Sequence, residues 1–245
     1  SLASLYAMMA RRHMHDFGTT PEQLAHVAVK NHEHGSGNPN AQFRNKVRVE
    51  QVLRAGRVAE PLGMLDCSPI SDGGAALVLT TLEKAKEMTD TPVVITGAAQ
   101  ASDTLALHDR WALTSQRATR TAAGRAFGQA GRTIDDIDLM EVNDGFTIAE
   151  IIALEDLGMA EAGQGGRLAE EGVTALGGET PVNTSGGLKA RGNPPGATGI
   201  AQVVEVYDQL TGRAEGRQVA DARIGLAQNV GGTGATVTVH IMEVL

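Results

Sequence analysis

The chain has 245 residues, 42% hydrophobic and 3% aromatic, with 30 glycines and a formal net charge of −8. That length buries one sizeable core, as one large domain or two small ones, and the small-residue composition favours close-packed α/β layers with many tight turns. The acidic balance argues against nucleic acid as a partner, no run is long enough to span a bilayer, and the single cysteine, Cys67, excludes an internal disulfide and fits a reducing, cytoplasmic compartment.

The opening SLASLYAMMARRHMHDF places its basic residues after the apolar ones, the reverse of a signal peptide, and Ser1–Met9 reads as the middle of a helix. A front part absent from this sequence is therefore expected. Thr20-Pro21-Glu22-Gln23 predicts a helix start, with Thr20 as N-cap, Pro21 at the first helical position and Gln23 closing a capping box. The helix runs through LAHVAVKNH, after which HGSGNPNAQFRNK reads as a polar surface loop. VRVEQVL is a short element. PLGMLDCSPISDGGAALVLTTLEKAKEM predicts a turn, a buried strand over AALVLTT and a charged helix end.

PVVITGAAQAS is strand-like through the β-branched Val93, Val94 and Ile95. Ser115–Gly131 is helical, with Gly131 as its stop. IDLMEV predicts a strand running into Asn143-Asp144-Gly145, and FTIAEIIALEDLG a helix ended by Gly158. A helix from about Ala197 to Leu210 and the strands IGLAQNV and ATVTVHIMEV complete the chain. The order β-α-β-α-β-β after residue 92 predicts a largely parallel sheet with helical cover, closed by an antiparallel hairpin. SDGGAALVLTT (71–81) and GGTGATVTVHI (231–241) echo each other, a small-residue turn ahead of a β-rich strand, as in two related halves.

The stretch NTSGGLKARGNPPGATG (183–199) turns tightly beside a helix start, a pattern that brings backbone close to a ligand. Three loops are expected beyond the carboxyl ends of strands, where open α/β sheets bind ligands: Asn143-Asp144-Gly145-Phe146, Gly192-Asn193-Pro194 and Asn229-Val230-Gly231-Gly232. Taken singly, each also reads as an ordinary turn, since Asn-Asp-Gly and Asn-Val-Gly-Gly suit tight corners.

Together, VNDGFTIAEI, PVNTSGGLKARGNPPGATGIAQ and LAQNVGGTGATVTVHI closely resemble the C-terminal half of a thiolase of the lipid-transfer (sterol-carrier) and archaeal acetoacetyl-CoA type. HMHDFGTTPEQLAHVAVKNH and LDCSPISDGGAALVL resemble that family's middle region, so the resemblance extends over essentially the whole chain in order. It implies the five-layered αβαβα thiolase fold. Residues 1–91 would hold the loop region and the end of the N-terminal half, and residues 92–245 the C-terminal half. The front part, which in the family carries the nucleophilic cysteine, is not in this sequence.

The resemblance also implies roles. Asn143 matches the asparagine that positions a water, Asn193 stands where a Gly-His-Pro histidine donates to the thioester oxygen, and Asn229 stands where a second cysteine acts as acid and base. The backbone N–H of Gly231 matches the second oxyanion hole. For coenzyme A, a substrate rather than a resident cofactor, His13 and Met14 match a pair whose methionine packs on adenine. Ser185 and Gly186 join that set as residues that shape the loop. Arg11 and Arg12 either meet CoA phosphates or form an ordinary solvated face. A homodimer is implied, and for some relatives a zinc-ribbon/OB-fold partner protein. No bound metal is implied.

An amide donates a hydrogen bond but does not carry a proton near neutral pH, which leaves Asp144 the only ionisable side chain in the three motifs, more a loop brace than a catalyst. Beside acyl transfer or thiolysis on an acyl-CoA, two alternatives therefore stand. One is retro-aldol cleavage of a β-hydroxyacyl-CoA, such as a steroid side chain, which needs only a base and an enolate pocket; the other is a non-catalytic CoA-binding scaffold. His26, His32 and His34, with no cysteine or carboxylate cluster nearby, read as solvent-exposed residues rather than ligands. Cys67 reads as a core thiol, and His108, Arg110 and Trp111 lie in a connection at a possible pocket rim.

Overall fold

The structure, a computed structural model, describes residues 1–245. Helix α1 (Leu2–Phe17) ends at Gly18, whose φ of 75° gives the left-handed cap, and α2 (Pro21–Ser36) starts with the expected Thr20–Gln23 capping box. α3 (Val49–Leu53) and the two-stranded hairpin β1 (Arg57–Ala59) and β2 (Leu62–Gly63) follow, then α4 (Leu82–Met88). The second part comprises β3 (Val93–Ser102), α5 (Arg117–Ala130), β4 (Leu139–Glu141), α6 (Thr147–Leu157), α7 (Gly165–Glu170), α8 (Gly187–Ala190), α9 (Thr198–Leu210), β5 (Ile224–Gly231) and β6 (Thr236–Val244).

The four-stranded sheet has the order β3-β6-β5-β4. It is mixed rather than largely parallel: β4 and β5 are parallel, while β6 runs antiparallel to both β3 and β5. The hairpin return turns β6 back alongside β5, and β3 then pairs with that reversed strand from Val93↔Val244 to Ser102↔Thr236. Alternation along the strands sends successive residues to opposite faces. Met140, Leu226 and Ile241 join the core under α5, while Leu139, Ala227 and Met242 join the core under α9. The alanine face of α5 (Ala118, Ala122, Ala126) lets the helix lie close to the sheet, and Gly97 meets it where a Cβ would strike Ala126 O.

α6 is buried along nearly its whole length, its isoleucines, leucines and alanines spread round the helix and its Glu150, Glu155 and Asp156 each held by partners inside the protein. Its Ala153 and Leu154 belong to the sheet core, whereas Ile148, Ile151 and Ile152 belong to a second core with α1 and α2. It therefore ties the two parts of the chain together.

Two further expectations change. AALVLTT forms no ladder: Val78 is 90% and Leu79 71% exposed. An apolar run becomes a strand only beside a free edge, and no strand of this chain passes it, whereas its echo at 231–241 is paired on both sides by β3 and β5. The loop expected over HGSGNPNAQFRNK begins late, because α2 continues to Ser36 and turns His32 and His34 into the interior, each 3% exposed.

Candidate active site

The strand β4 delivers the chain into Val142–Phe146, and the glycine-rich stretch folds over it. Asn183 begins that stretch in a left-handed turn (φ 58°) and is held from several sides. Its N–H donates to Met140 O (2.8 Å), its Oδ1 accepts from Val142 N (2.9 Å) and its Nδ2 donates to Glu150 Oε2 (2.7 Å). Asp144 fastens the two loops together. It accepts from the N–H groups of Leu188 (2.6 Å) and Lys189 (3.2 Å) and from Asn31 Nδ2 (2.7 Å). Asn31 also donates to Glu150 Oε2 (2.8 Å), and Lys30 Nζ lies 2.9 Å from Glu150 Oε1 while donating to Val182 O (2.7 Å).

Burial pushes the Asp144 carboxyl up to about 6, with Glu150 adding to the rise and the Leu188 and Lys189 amides opposing it. Glu141 is likewise pushed up to about 7 by burial, against the pull of Arg191. Its carboxylate receives Ser185 Oγ (2.7 Å) and Ser185 N (3.0 Å), so Ser185 is fully engaged inside the protein. Gly186, at φ 97°, rests against Gly35 of α2 so closely that a Cβ would overlap it. Both residues shape the loop from within. Asp144 is a brace, as its three donors show.

The three asparagine amides lie above this base. Asn143 N donates to Gln228 Oε1 (3.0 Å) and its Nδ2 to Val230 O (3.4 Å), which ties the β4 loop to the end of β5. Asn193 follows the short helix α8 rather than a strand. Its N–H donates to Ser71 Oγ (2.9 Å) and its Nδ2 to Ser68 Oγ (3.1 Å), while Thr198 Oγ1 donates to its Oδ1 (3.2 Å). Asn143 Oδ1 and Asn193 Nδ2 lie 3.4 and 3.9 Å from where a Cβ on Gly145 would stand, so these two amides converge. Asn229 and Gly231 sit within β5, not in the loop beyond it, and Asn229 Nδ2 turns towards α9 to donate to Gln202 Oε1 (2.9 Å).

The turn after Gly231 is clamped. Gly232 O accepts from Tyr6 Oη (3.1 Å), and Thr233 O accepts from Arg110 Nη1 and from Gln116 Nε2 (3.4 Å). Tyr6 also stacks on Phe146 at 4.5 Å, which joins the turn to the Asn143 loop. A cavity of about 730 Å³ opens between residues 70–76, the glycine loop and α9, with Gly192, Pro194 and Arg191 on its wall.

On α1, His13 is fully buried: Nδ1 pairs with Thr19 Oγ1 (2.6 Å) and Nε2 with Glu155 Oε2 (3.0 Å). The ring braces α1 against α6 and presents no surface to a ligand. Met14 beside it is half-buried, and Arg11 and Arg12 are exposed, Arg12 pairing with Asp16 at 2.6 Å. The solvent-exposed reading of His32 and His34 is corrected here. Leu176 N donates to His34 Nε2 (2.9 Å), so Nδ1 carries the proton and donates to Asn183 O (3.0 Å). Burial and the nearby Lys30 push this imidazole down to about 3, and burial and Lys189 push His32 down to about 4. Both are neutral structural groups, and no three His, Cys, Asp or Glu side chains gather in a metal-holding arrangement.

Cys67 is half-buried with its thiol pushed up to about 11 by burial and Asp66, an unreactive state. Arg110 is buried against the hairpin turn, and Trp111 is 64% exposed. The residues that sequence reasoning missed are Ser68, Ser71, Thr198 and Gln228, which orient Asn193 and Asn143. Ser68 and Asn193 lie 125 positions apart, and no local pattern signals such a pair.

Comparison with known proteins agrees with this architecture. The chain matches the thiolase N-terminal domain over residues 3–83 and the thiolase C-terminal domain-like family over residues 99–244. The acetyl-CoA acetyltransferase of Methanothermobacter thermautotrophicus is 59% identical over 98% of this chain, and sterol carrier protein 2 of Gallus gallus is 36% identical over 95%. The chain spans 63% and 44% of the lengths of those two relatives. Among solved structures, the Ltp2-ChsH2(DUF35) aldolase superposes with a TM-score of 0.90 at 27% identity, covering 99% of this chain and 63% of that one. With the thiolase fold laid out along its sheet and its loops, the chain belongs to the thiolase family.

Proposed function

We propose that the protein makes or cleaves a carbon–carbon bond next to a CoA thioester, as an acyl-CoA acyltransferase, with this part of the chain supplying the hydrogen-bond donors that hold developing negative charge. The observation that supports it is the converging pair of amides: Asn193 Nδ2, which donates to Ser68 Oγ, lies against the same position beside Gly145 as Asn143 Oδ1. Fixed donors aimed at an enolate or thioester oxygen stabilise the charge that appears as the bond forms or breaks. Asn143 would hold a water in that opening, and the Gly231 N–H, on its clamped turn, would serve a second oxyanion. Asn229 stands beside them, Met14 would meet coenzyme A from the outer face of α1, and the division at residues 91 and 92 separates the two halves between which the thioester would lie.

The absence of a proton carrier among the amides supports a second reading, retro-aldol cleavage. There a base removes the β-hydroxyl proton, the Cα–Cβ bond breaks to release an aldehyde or ketone, and the CoA enolate takes up a proton to give the shortened acyl-CoA. The likeness to the Ltp2-ChsH2(DUF35) aldolase supports that reading and the presence of a small DUF35-type partner. The likeness to acetyl-CoA acetyltransferases supports acyl transfer. A homodimer in the cytoplasm is part of the proposal; no helix is long and apolar enough to cross a membrane.

The test is to assay the full-length protein, with any co-purifying partner, for acetoacetyl-CoA thiolysis and for β-hydroxyacyl-CoA cleavage, with Asn193→His alongside. Thiolysis by the unmodified protein supports acyl transfer, with the histidine variant at least as active. Cleavage of the hydroxyacyl ester alone moves the assignment to the aldolase. Binding of CoA esters without turnover of either sinks the enzymatic reading.

A further inference from the structure

Three buried side chains form a path of hydrogen bonds from the Asn143 loop to the turn after Gly231. Asn143 N donates to Gln228 Oε1 (3.0 Å), Gln228 Nε2 to Thr119 Oγ1 (3.2 Å), Thr119 Oγ1 to Gln116 Oε1 (3.0 Å) and Gln116 Nε2 to Thr233 O (3.4 Å). Both ends of the path are main-chain groups, and they set the direction of every link. An N–H only donates, so Gln228 presents its oxygen to Asn143 and its nitrogen to Thr119. The threonine hydroxyl, having accepted there, gives its single proton to Gln116 Oε1, which leaves the Gln116 nitrogen for a carbonyl that only accepts. Turning over Gln228 would set N–H against N–H, and turning over Gln116 would set oxygen against oxygen.

Packing alone does not call for these residues. Gln228 and Thr119 are 0% exposed and Gln116 1%, and the positions beside them on α5 and β5, Ala118 and Leu226 among them, belong to the apolar sheet core. A buried amide or hydroxyl costs stability unless it is hydrogen-bonded, whereas methionine or valine would fill a similar volume without that requirement. The turn at the far end is seated on the same path: a Cβ on Gly234 would stand 3.0 Å from the Gln116 side chain. We infer that Gln228, Thr119 and Gln116 are positioning residues that couple the Asn143 loop to the turn after Gly231, so that the two sides of the candidate site are held as one unit. The task given to Asn143 rests on the proposed acyl-CoA reading; the coupling does not.

The experiment compares Thr119→Val and Thr119→Ser in the full-length protein. Valine keeps the volume and cuts the path at its middle, touching neither end, and serine restores the hydroxyl. Hydrogen exchange, read by mass spectrometry on a peptide spanning residues 140–146, is expected to quicken about threefold to 10-fold with valine, the effect of one net hydrogen bond, and to return to the unmodified rate with serine. In whichever reaction the protein performs, kcat is expected to fall by up to about 100-fold with valine while KM stays within about threefold, and serine to recover it. Faster exchange with unchanged kcat supports the coupling and removes Asn143 from the chemistry, so the two readings fail separately. Gln228→Met, which cuts the first link, serves if the valine variant folds poorly. Exchange at 140–146 that is unchanged with valine, raised equally by valine and serine, or raised no more than in the rest of the chain overturns the inference.

Discussion

The amides and the carboxylates of the site occupy two tiers with opposite chemistry. At the opening stand Asn143 and Asn193, uncharged and half-buried; beneath them Glu141, Asp144 and Glu150 are all but sealed from solvent, each 1% exposed or less. The lower tier carries the ionisable groups, and they are spent on backbone N–H groups, on Asn31 and Asn183, and on Lys30. A titrating side chain near a candidate site is thus no sign of acid–base catalysis. Here the charged groups hold the loops, and the neutral amides converge beside Gly145.

That contrast breaks hardest at Glu150. Glu150→Ala leaves the Lys30 ammonium buried without its counter-ion, and a loss of about 3–5 kcal/mol is expected in urea unfolding. A change under about 1 kcal/mol would show that the lower tier is no brace.

A second, milder test uses pH. The Asp144 carboxyl sits at about 6 when folded, above its unfolded value, so the folded state binds its proton more tightly. Its contribution to stability is full at acid pH and is lost as pH rises through about 6. His34 and His32 act oppositely: held down near 3 and 4, they cost stability as pH falls below the ordinary histidine value. Between about pH 4 and 6 the one carboxyl offsets only one of the two imidazoles. Asp144→Asn removes one side of that balance. The variant is expected to gain less stability, or lose more, than the unmodified protein on going from pH 7.5 to 5.5, measured by chemical denaturation; identical pH profiles would count against the buried-carboxylate account.

The smallest effect belongs to Asn229. Its amide is engaged by Gln202 of α9, so Asn229→Ala is expected to lower kcat less than about tenfold, below the range for removing a true oxyanion donor. A larger fall would place Asn229 with Asn143 and Asn193 in the chemistry.

Local signals carried much of this architecture. The capping box at Thr20, the left-handed stops at Gly131 and Gly158 and the β-branched run at Val93 are short-range physics, and each element formed where its residues predict. Family motifs located the three asparagines. What stayed hidden depends on distant partners. AALVLTT has a strand's composition but no edge to pair with, and the polar HEH segment is internal because Asn183, Leu176 and Asn45 happen to meet it. The mixed sheet follows from which strand β6 chooses as its second neighbour, a choice no local pattern encodes.

The clamp of Tyr6 on Gly232 spans nearly the whole chain, with 226 positions between its two ends. Contacts this distant form late, because the long intervening segment must be ordered first. During synthesis α1 emerges well before the hairpin that it holds. The turn bearing Gly231 therefore acquires its final shape only when β5 and β6 have joined the sheet.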